Sequence, residues 1–248
     1  MKKKLHGIAA CPSAALLPKT CWITGQPVVD GGACLTEDVR EQLAAEIQVP
    51  YCHRCGATRL AGTVSCPFCP RRRLGIAEII RAGSYKYPLS ELISGFKFRR
   101  HWGMAALLAD LLCEAWHKAG CPQIDLLVPV PLHWRRRFIR GFNQSEQLAQ
   151  SLAKKLAVPC VDAVVKRFPT PQQSLAASAH QRAENLRDAF AVHSVNLSSR
   201  HIWLIDDVCT TGSTLHAVAG TFASLPPEYR PERISALVLA VTGAKSPI

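Results

Sequence analysis

The sequence predicts an α/β fold, in which a parallel sheet flanked by helices follows a small cysteine-rich module. After about residue 72, short apolar runs alternate with segments of helical periodicity, an alternation typical of parallel sheets with helices on both faces. Seven of the eleven cysteines lie before that point, where little hydrophobic periodicity is visible. We therefore expect a cysteine-rich module at residues 1–72 and a larger α/β domain at residues 73–248.

Hydrophobic spacing places the expected elements of the larger domain. An apolar run at residues 125–130 predicts a short buried strand. Leu148, Leu152 and Leu156 lie on one face of a helix that Asn143 can cap. The expected helices are residues 89–98, 104–117, 144–156 and 213–223, the expected strands are residues 125–130, 161–165, 201–205 and 234–241, and residues 168–189 form a long connection.

Length and composition exclude some classes of protein. A chain of 248 residues with 48% apolar residues can bury a substantial core, which excludes global disorder. Its longest apolar stretches, such as residues 234–241, are far shorter than the roughly 20 residues of a membrane-spanning helix. Lys2–Lys4 and the apolar residues 5–10 resemble the start of an export signal, but the apolar part is shorter than such signals need. We expect no membrane span and a cytoplasmic location.

The net charge of +12 is concentrated in the middle of the chain, where residues 70–145 carry 13 basic and five acidic residues. A local basic excess suits a phosphorylated ligand or a nucleic acid. A solvated basic surface without a ligand is the alternative. Ten of the thirteen charges come from Arg71–Arg73, Lys97, Arg99, Arg100, Arg135–Arg137 and Arg140.

Two pairs of cysteines have the spacing of metal ligands. Cys52 and Cys55 form one short turn, and Cys66 and Cys69 form another ten residues later. Four thiolates at this spacing can converge on one tetrahedral Zn²⁺, and a closed site of four cysteines is structural. Disulfides are not expected in the reducing cytosol, and the alternative to a metal site is four free or oxidised thiols.

The remaining cysteines lack partners at ligand spacing. Three residues after Cys21 and Cys34 stand Thr24 and Glu37, and threonine is a poor zinc ligand. A complete second site is therefore not expected. We interpret the others as small buried or inert thiols: Cys11, Cys113, Cys121 and Cys160.

An apolar strand at residues 201–205 is followed by Asp206, Asp207 and a turn of small hydroxyl residues that opens a helix. Free backbone N–H groups at a helix start form a cradle for a phosphate, and Gly212 allows close approach. The two carboxylates can accept hydrogen bonds from the neighbouring hydroxyls of a ribose. The pattern indicates a phosphorylated sugar as ligand.

Several motifs occur together in a recognisable order. They are the cysteine turns, VPVPL at residues 128–132, RGFNQ at residues 140–144, Gln173 followed by Arg182-x-x-Asn185, and DDVCTTGST at residues 206–214. The last resembles the loop that binds phosphoribosyl pyrophosphate (PRPP) in type I phosphoribosyltransferases, and the whole set resembles the ComF/GntX-type competence-associated family. The resemblance implies a type I phosphoribosyltransferase-like domain after a zinc module, with some members associated with uptake or use of external DNA.

The resemblance also implies roles for single residues. Asp206 and Asp207 become the catalytic carboxylates, which contact the ribose hydroxyls and are linked to Mg²⁺. Thr24 and Glu37 stand where the family commonly has cysteines. The implied PRPP-binding residues are Thr210, Thr211, Gly212, Ser213, Thr214, Val130, Pro131, Leu132, His133 and Arg140, and the implied flexible loop carries Arg182 and Asn185.

Three functions stay open. The first is a transferase in nucleotide salvage or competence, in which a nitrogen of a nucleobase-like acceptor displaces pyrophosphate from C1 of PRPP. The second is a non-catalytic competence protein that handles single-stranded DNA, with other proteins of the competence machinery as partners. The third is a regulator that senses PRPP or a nucleotide. Thr210 stands where related purine enzymes carry an acidic base, so the general base and the acceptor stay open.

Overall fold

The computed structural model describes residues 20–28, 34–59, 65–70, 74–98, 102–132, 142–166, 190–192 and 197–243. In chain order its elements are α1 (Glu37–Gln48), β1 (Ile79–Ser84), α2 (Leu89–Phe98), α3 (Trp102–Lys118), β2 (Leu126–Pro129), α4 (Gln144–Leu156), β3 (Val164–Lys166), β4 (Phe190–Val192), β5 (His201–Cys209), α5 (Ser213–Ala223), a 3₁₀ turn (Pro227–Tyr229) and β6 (Arg233–Val241).

Four parallel strands form the central sheet in the order β1-β6-β5-β2. Side chains of β5 are buried on both faces: Trp203 and Ile205 belong to one apolar cluster, and Ile202 and Leu204 belong to the other. Burial of both faces is typical of parallel strands, which explains their continuous apolar runs. The predicted class, a parallel sheet flanked by helices, is confirmed.

The predicted helices are found at the expected places, because their apolar spacing and caps are local properties. The helix starting at Gln144 begins after Asn143, whose Oδ1 accepts a hydrogen bond from the backbone N of Ser145 at 3.2 Å. This contact satisfies one of the amides that a first helical turn leaves unpaired. Among the helices of the described ranges, none is long and apolar enough to cross a membrane.

One predicted strand joins the central sheet only at its start, where Val161 donates its backbone N–H to Leu127 O of β2 at 3.0 Å. Residues 164–166 pair antiparallel with residues 190–192 in a separate two-stranded sheet, although a parallel strand was expected at residues 161–165. The fourth parallel strand is β1, whose apolar run is interrupted by Arg81. That side chain is 2% exposed and donates to Thr58 Oγ1 at 2.9 Å and Ser84 Oγ at 3.1 Å. These hydrogen bonds, one within the strand and one to a residue 23 positions earlier, make the buried guanidinium compatible with a strand.

Strand β5 also continues beyond its predicted end at residue 205. Its pairing with β6 extends through Asp206 opposite Val238 to Cys209 opposite Val241. The two carboxylates therefore lie inside the last part of the strand, at the carboxyl edge of the sheet. Ligands bind at this edge in open α/β sheets.

The segment before residue 72 contributes a helix that its sequence pattern did not reveal. Val39, Leu43 and Ile47 of α1 are buried in the same apolar cluster as Ile80 and Trp203 of the sheet. Helix α1 thus packs on the sheet through its apolar side chains. The boundary near residue 72 stays a prediction.

Candidate functional site

Two carboxylates at the end of β5 are each held by a different neighbouring helix. Asp206 Oδ1 accepts hydrogen bonds from Ser145 Oγ of α4 at 3.1 Å and from the backbone N of Asp207 at 2.9 Å. Asp207 Oδ2 lies 3.0 Å from Lys97 Nζ at the end of α2. Side chains from three elements therefore meet at one point of the carboxyl edge.

The two carboxylates differ in their electrostatic surroundings. Burial of the Asp206 carboxyl, together with the charge of Asp207 beside it, raises the pKa of Asp206 to about 7. Desolvation and a neighbouring like charge both disfavour the ionised form. Asp207 is the member of the pair with a direct cationic partner.

The turn after β5 carries the small hydroxyl residues and the glycine that the sequence predicts for a phosphate site. Thr210, Thr211, Ser213 and Thr214 are exposed, and Gly212 takes a φ of 82° just before α5 begins. Glycine adopts this left-handed conformation without a steric penalty. Thr211 Oγ1 accepts from the backbone N of Ser213 at 3.3 Å and lies 2.8 Å from Ser213 Oγ. Exposed hydroxyls thus lie at the start of a helix, where an anion can bind.

The segment after β2 reaches the same region through a chain of hydrogen bonds. Val130 donates its backbone N–H to Ile205 O at 2.9 Å, and its carbonyl accepts from Asn143 Nδ2 at 3.3 Å. Because Asn143 also caps α4, the β2 segment is tied to Ser145 and thereby to Asp206. Pro131 and Leu132 follow as half-buried residues.

Four of the residues implied as ligand-binding lie outside the described residues: His133, Arg140, Arg182 and Asn185. Their roles stay predictions. Sequence reasoning missed two residues that the structure brings to the carboxylates, Lys97 and Ser145. Lys97 was counted in the basic segment, and no local pattern connects either residue with Asp206 or Asp207.

Four cysteines form the second cluster of reactive side chains. The ligand atoms of Cys52, Cys55, Cys66 and Cys69 all lie within 4.8 Å of one another. Sγ–Sγ distances of 3.5 Å join Cys52 with Cys69 and Cys55 with Cys66. Four thiols in so small a volume can hold a structural metal ion such as zinc, since sulfurs about 2.3 Å from one tetrahedral ion lie roughly 4 Å apart.

The first cysteine turn packs directly on the sheet. Gly56, with a φ of 74°, donates its N–H to Cys52 O at 2.7 Å. A Cβ on Gly56 would lie 2.8 Å from Val241 Cγ2, at the end of β6. His53 O also accepts from the backbone N of Ile79 at 2.7 Å. The metal-ligand turn therefore supports the edge strand of the sheet.

Residues 20–27 repeat this backbone pattern around Cys21. Gly25, with a φ of 70°, donates to Cys21 O at 2.9 Å, and Cys21 donates to Gln26 O at 2.8 Å. In place of a second thiol, the Thr24 backbone N and Thr36 Oγ1 approach Cys21 Sγ at 3.5 Å and 3.9 Å. Hydrogen bonds to sulfur thus lower the pKa of Cys21 to about 7, although burial acts in the opposite direction as the largest single influence.

The thiols interpreted as small buried or inert groups differ in their burial. Cys113 and Cys160 are half-buried, and burial raises the pKa of each to about 11. Such high pKa values make inert thiols at neutral pH. Cys121 is exposed in the turn after α3, with a φ of 54°, so of the two interpretations only that of an inert thiol stays open for it. Cys11 lies outside the described residues.

The chain is similar to known bacterial proteins over most of its length. It is 34% identical to competence protein F of Haemophilus influenzae over 178 residues, which cover 68% of this chain and 77% of that protein. It is 32% identical to the DNA utilization protein YhgH of Salmonella typhi over 211 residues, or 82% of this chain and 90% of that protein. Competence protein ComFC of Bacillus subtilis is 29% identical over 176 residues, or 68% and 69% of the two chains. No protein-family model matches the chain.

Proposed function

This chain belongs to the ComF-type family of competence proteins, and we propose that it binds PRPP at the carboxyl edge of its sheet in a role connected with DNA uptake or use. One observation carries the proposal: the carboxylate pair of β5 leads directly into the exposed turn at residues 210–214. A sugar phosphate has two groups that match these parts of the site: a diol for the carboxylates and a phosphate for the turn.

Each part of the site has a role in this proposal. The hydroxyls and amides of residues 210–214 bind the 5-phosphate, and Asp206 and Asp207 accept hydrogen bonds from the ribose hydroxyls. We assign the segment from Val130 to His133, with Arg140, to the pyrophosphate of PRPP. Positive side chains there would stabilise the negative charge of a leaving pyrophosphate.

A divalent cation suits the donor atoms of this site. Carboxylate oxygens such as those of Asp207 are the ligands that Mg²⁺ takes in proteins. Mg²⁺ bound together with PRPP would neutralise charge on the pyrophosphate. In the transferase reaction, a nitrogen of the acceptor forms the bond to C1 while the C1–O bond to pyrophosphate breaks. The proton of that nitrogen passes to a base that is still to be identified.

Turnover tests the transferase part of the proposal. Incubation of the protein with PRPP, Mg²⁺ and a panel of nucleobases is expected to release pyrophosphate with at least one base. Asp207→Asn protein serves as the control for contaminating enzymes. If pyrophosphate is not released with any base, but ribose 5-phosphate binds by calorimetry, the protein is a PRPP sensor or a non-catalytic member. Absence of both would overturn the proposal.

A non-catalytic role in handling single-stranded DNA is the second candidate, and one surface feature favours it. Tyr85 and Tyr87 are 40% and 51% exposed in the loop after β1, on either side of Lys86. Exposed aromatic rings are suited to stacking the bases of single strands, and the Lys86 side chain between them is 63% exposed while its Nζ pairs with Glu46 Oε2 at 2.9 Å. The basic runs of the middle segment supply further positive charge near in sequence.

We expect single-stranded DNA to bind with an affinity that falls with salt. Each neutralised phosphate contributes a slope of roughly −0.7 in log affinity against log salt concentration. Charge reversal at Arg71–Arg73 and Arg135–Arg137 should flatten that slope, whereas Tyr85→Ala with Tyr87→Ala should lower the affinity and keep the slope. Lys154→Glu, a change at an exposed position of α4, is the matched control. Undetectable binding at about 50 mM salt, or an unchanged slope in the arginine variants, contradicts this interface.

A further inference from the structure

Lys97 is the residue whose contact the proposed ligand roles leave unexplained. Its side chain extends from the end of α2 to the last residues of β5, where Nζ lies 3.0 Å from Asp207 Oδ2. The lysine and aspartate side chains are only 17% and 14% exposed. Ordering a long lysine side chain costs conformational entropy, and ion pairs in water barely repay that cost. Partial burial makes this contact stronger than an ordinary surface pair.

The contact fixes one oxygen of Asp207 and leaves the other open. Within the described part of the chain, Oδ2 meets Lys97 and no hydrogen-bond partner is found for Oδ1. Asp206 is fixed separately, since Ser145 Oγ and the Asp207 backbone N both donate to its Oδ1. The two neighbouring carboxylates are thus held from two helices, against the repulsion expected between like charges.

A sugar with two neighbouring hydroxyls needs two acceptors at a fixed separation. When the groups that bind a ligand are already held in place, ligand binding does not have to repay the entropy cost of ordering them. We propose that Lys97 is a positioning residue, which holds Asp207 so that its free oxygen accepts a hydrogen bond from one ribose hydroxyl. This inference rests on the proposed function of the site.

In this role Lys97 does not contribute to the basic surface. Its charge was counted with the arginines at residues 71–73 and 99–100, but its ammonium group faces a carboxylate inside the site. Lys97 should therefore affect sugar-phosphate affinity, and its effect should depend on Asp207. A lysine that binds the ligand phosphate directly would act whether or not Asp207 is present.

Calorimetry with ribose 5-phosphate separates these cases. Lys97→Met is expected to weaken binding roughly tenfold, the effect of one well-placed charge-assisted hydrogen bond. Lys97→Arg, which keeps the charge, should recover part of the loss. In Asp207→Asn protein, adding Lys97→Met should cause no further loss, because the group that it positions is already changed. Thermal unfolding checks each variant, and Lys97→Gln is a second neutral variant if Lys97→Met does not fold.

Lys155→Met provides the matched control. Lys155 pairs with Asp110 at similar exposure, 25% and 10%, near the end of α4 farthest from the site, so its loss should leave ribose 5-phosphate affinity unchanged. If folded Lys97→Met protein binds ribose 5-phosphate as tightly as the parent protein does, this inference is overturned and the proposed function is not. The inference is also overturned if Lys97→Met lowers the affinity for ribose 5-phosphate as much in Asp207→Asn protein as it does in the parent protein. If the parent protein neither binds ribose 5-phosphate nor releases pyrophosphate from PRPP, the proposed function is overturned, and the inference with it.

Discussion

Removal of the metal is expected to unfold the cysteine turns at residues 52–69 and to loosen the sheet edge beside them. Zinc binding by small modules contributes on the order of 10 kcal/mol, and that free energy stabilises the folded turn. Cys55 is fully buried, and Gly56 next to it contacts Val241 of the sheet. Unfolding of the turn would therefore expose apolar surface at Ile79 of β1 and at Val241 of β6.

Elemental analysis of the purified protein should give about one zinc per chain. Chelation, or Cys55→Ser, should remove the metal and speed hydrogen exchange in β1 (Ile79–Ser84). Cys121→Ser changes an exposed thiol outside the cluster and should retain the metal. Metal-free protein with an unchanged exchange pattern would contradict a structural role. Two zinc ions per chain would show that Cys21 and Cys34 also bind metal.

Local patterns were enough to predict the cluster of four cysteines and most of the helices. The cysteine spacing determines which thiols can meet, and Asn143 caps α4 through a residue only two positions away. The carboxylate pair followed by a glycine-containing turn was visible for the same reason. In these cases the interacting groups are close in sequence, so spacing alone carries the geometry.

Contacts between distant residues could not be predicted in the same way. Strand β1 contains Arg81, whose burial depends on Thr58, 23 residues earlier. The hydrogen bond between Ser145 and Asp206 spans 61 residues, and Lys97 lies still farther from Asp207 in sequence. The pairing of β3 with β4 likewise depends on where the chain returns after residue 166. Only the fold brings these partners together.

The structure also makes the two carboxylates unequal, which the sequence motif did not indicate. Asp206 has one oxygen occupied by two donors from the protein, and its pKa is raised to about 7. Asp207 has a lysine partner and an oxygen without a partner in the described part of the chain. The binding of a sugar hydroxyl should therefore depend more on Asp207 than on Asp206.

Replacing both carboxylates is expected to abolish measurable sugar-phosphate binding. A hydrogen bond to a charged group contributes roughly 1.5–3 kcal/mol, so Asp206→Asn and Asp207→Asn should each weaken ribose 5-phosphate binding by about 10- to 150-fold. The larger loss is expected for Asp207→Asn. An asparagine at position 206 keeps an oxygen for Ser145 and for the backbone N–H of residue 207, so the fold should remain intact.

Calorimetry with ribose 5-phosphate and PRPP measures these losses, and thermal unfolding verifies the fold of each variant. Asp162→Asn removes an exposed carboxylate before β3 and is the control for the change in net charge. If the control variant loses as much affinity as Asp207→Asn, the effect is a general one of charge. If both site variants bind as the parent does, Asp206 and Asp207 do not contact the sugar. The edge of the sheet would then retain only its phosphate cradle, because residues 210–214 can bind an anion without either carboxylate.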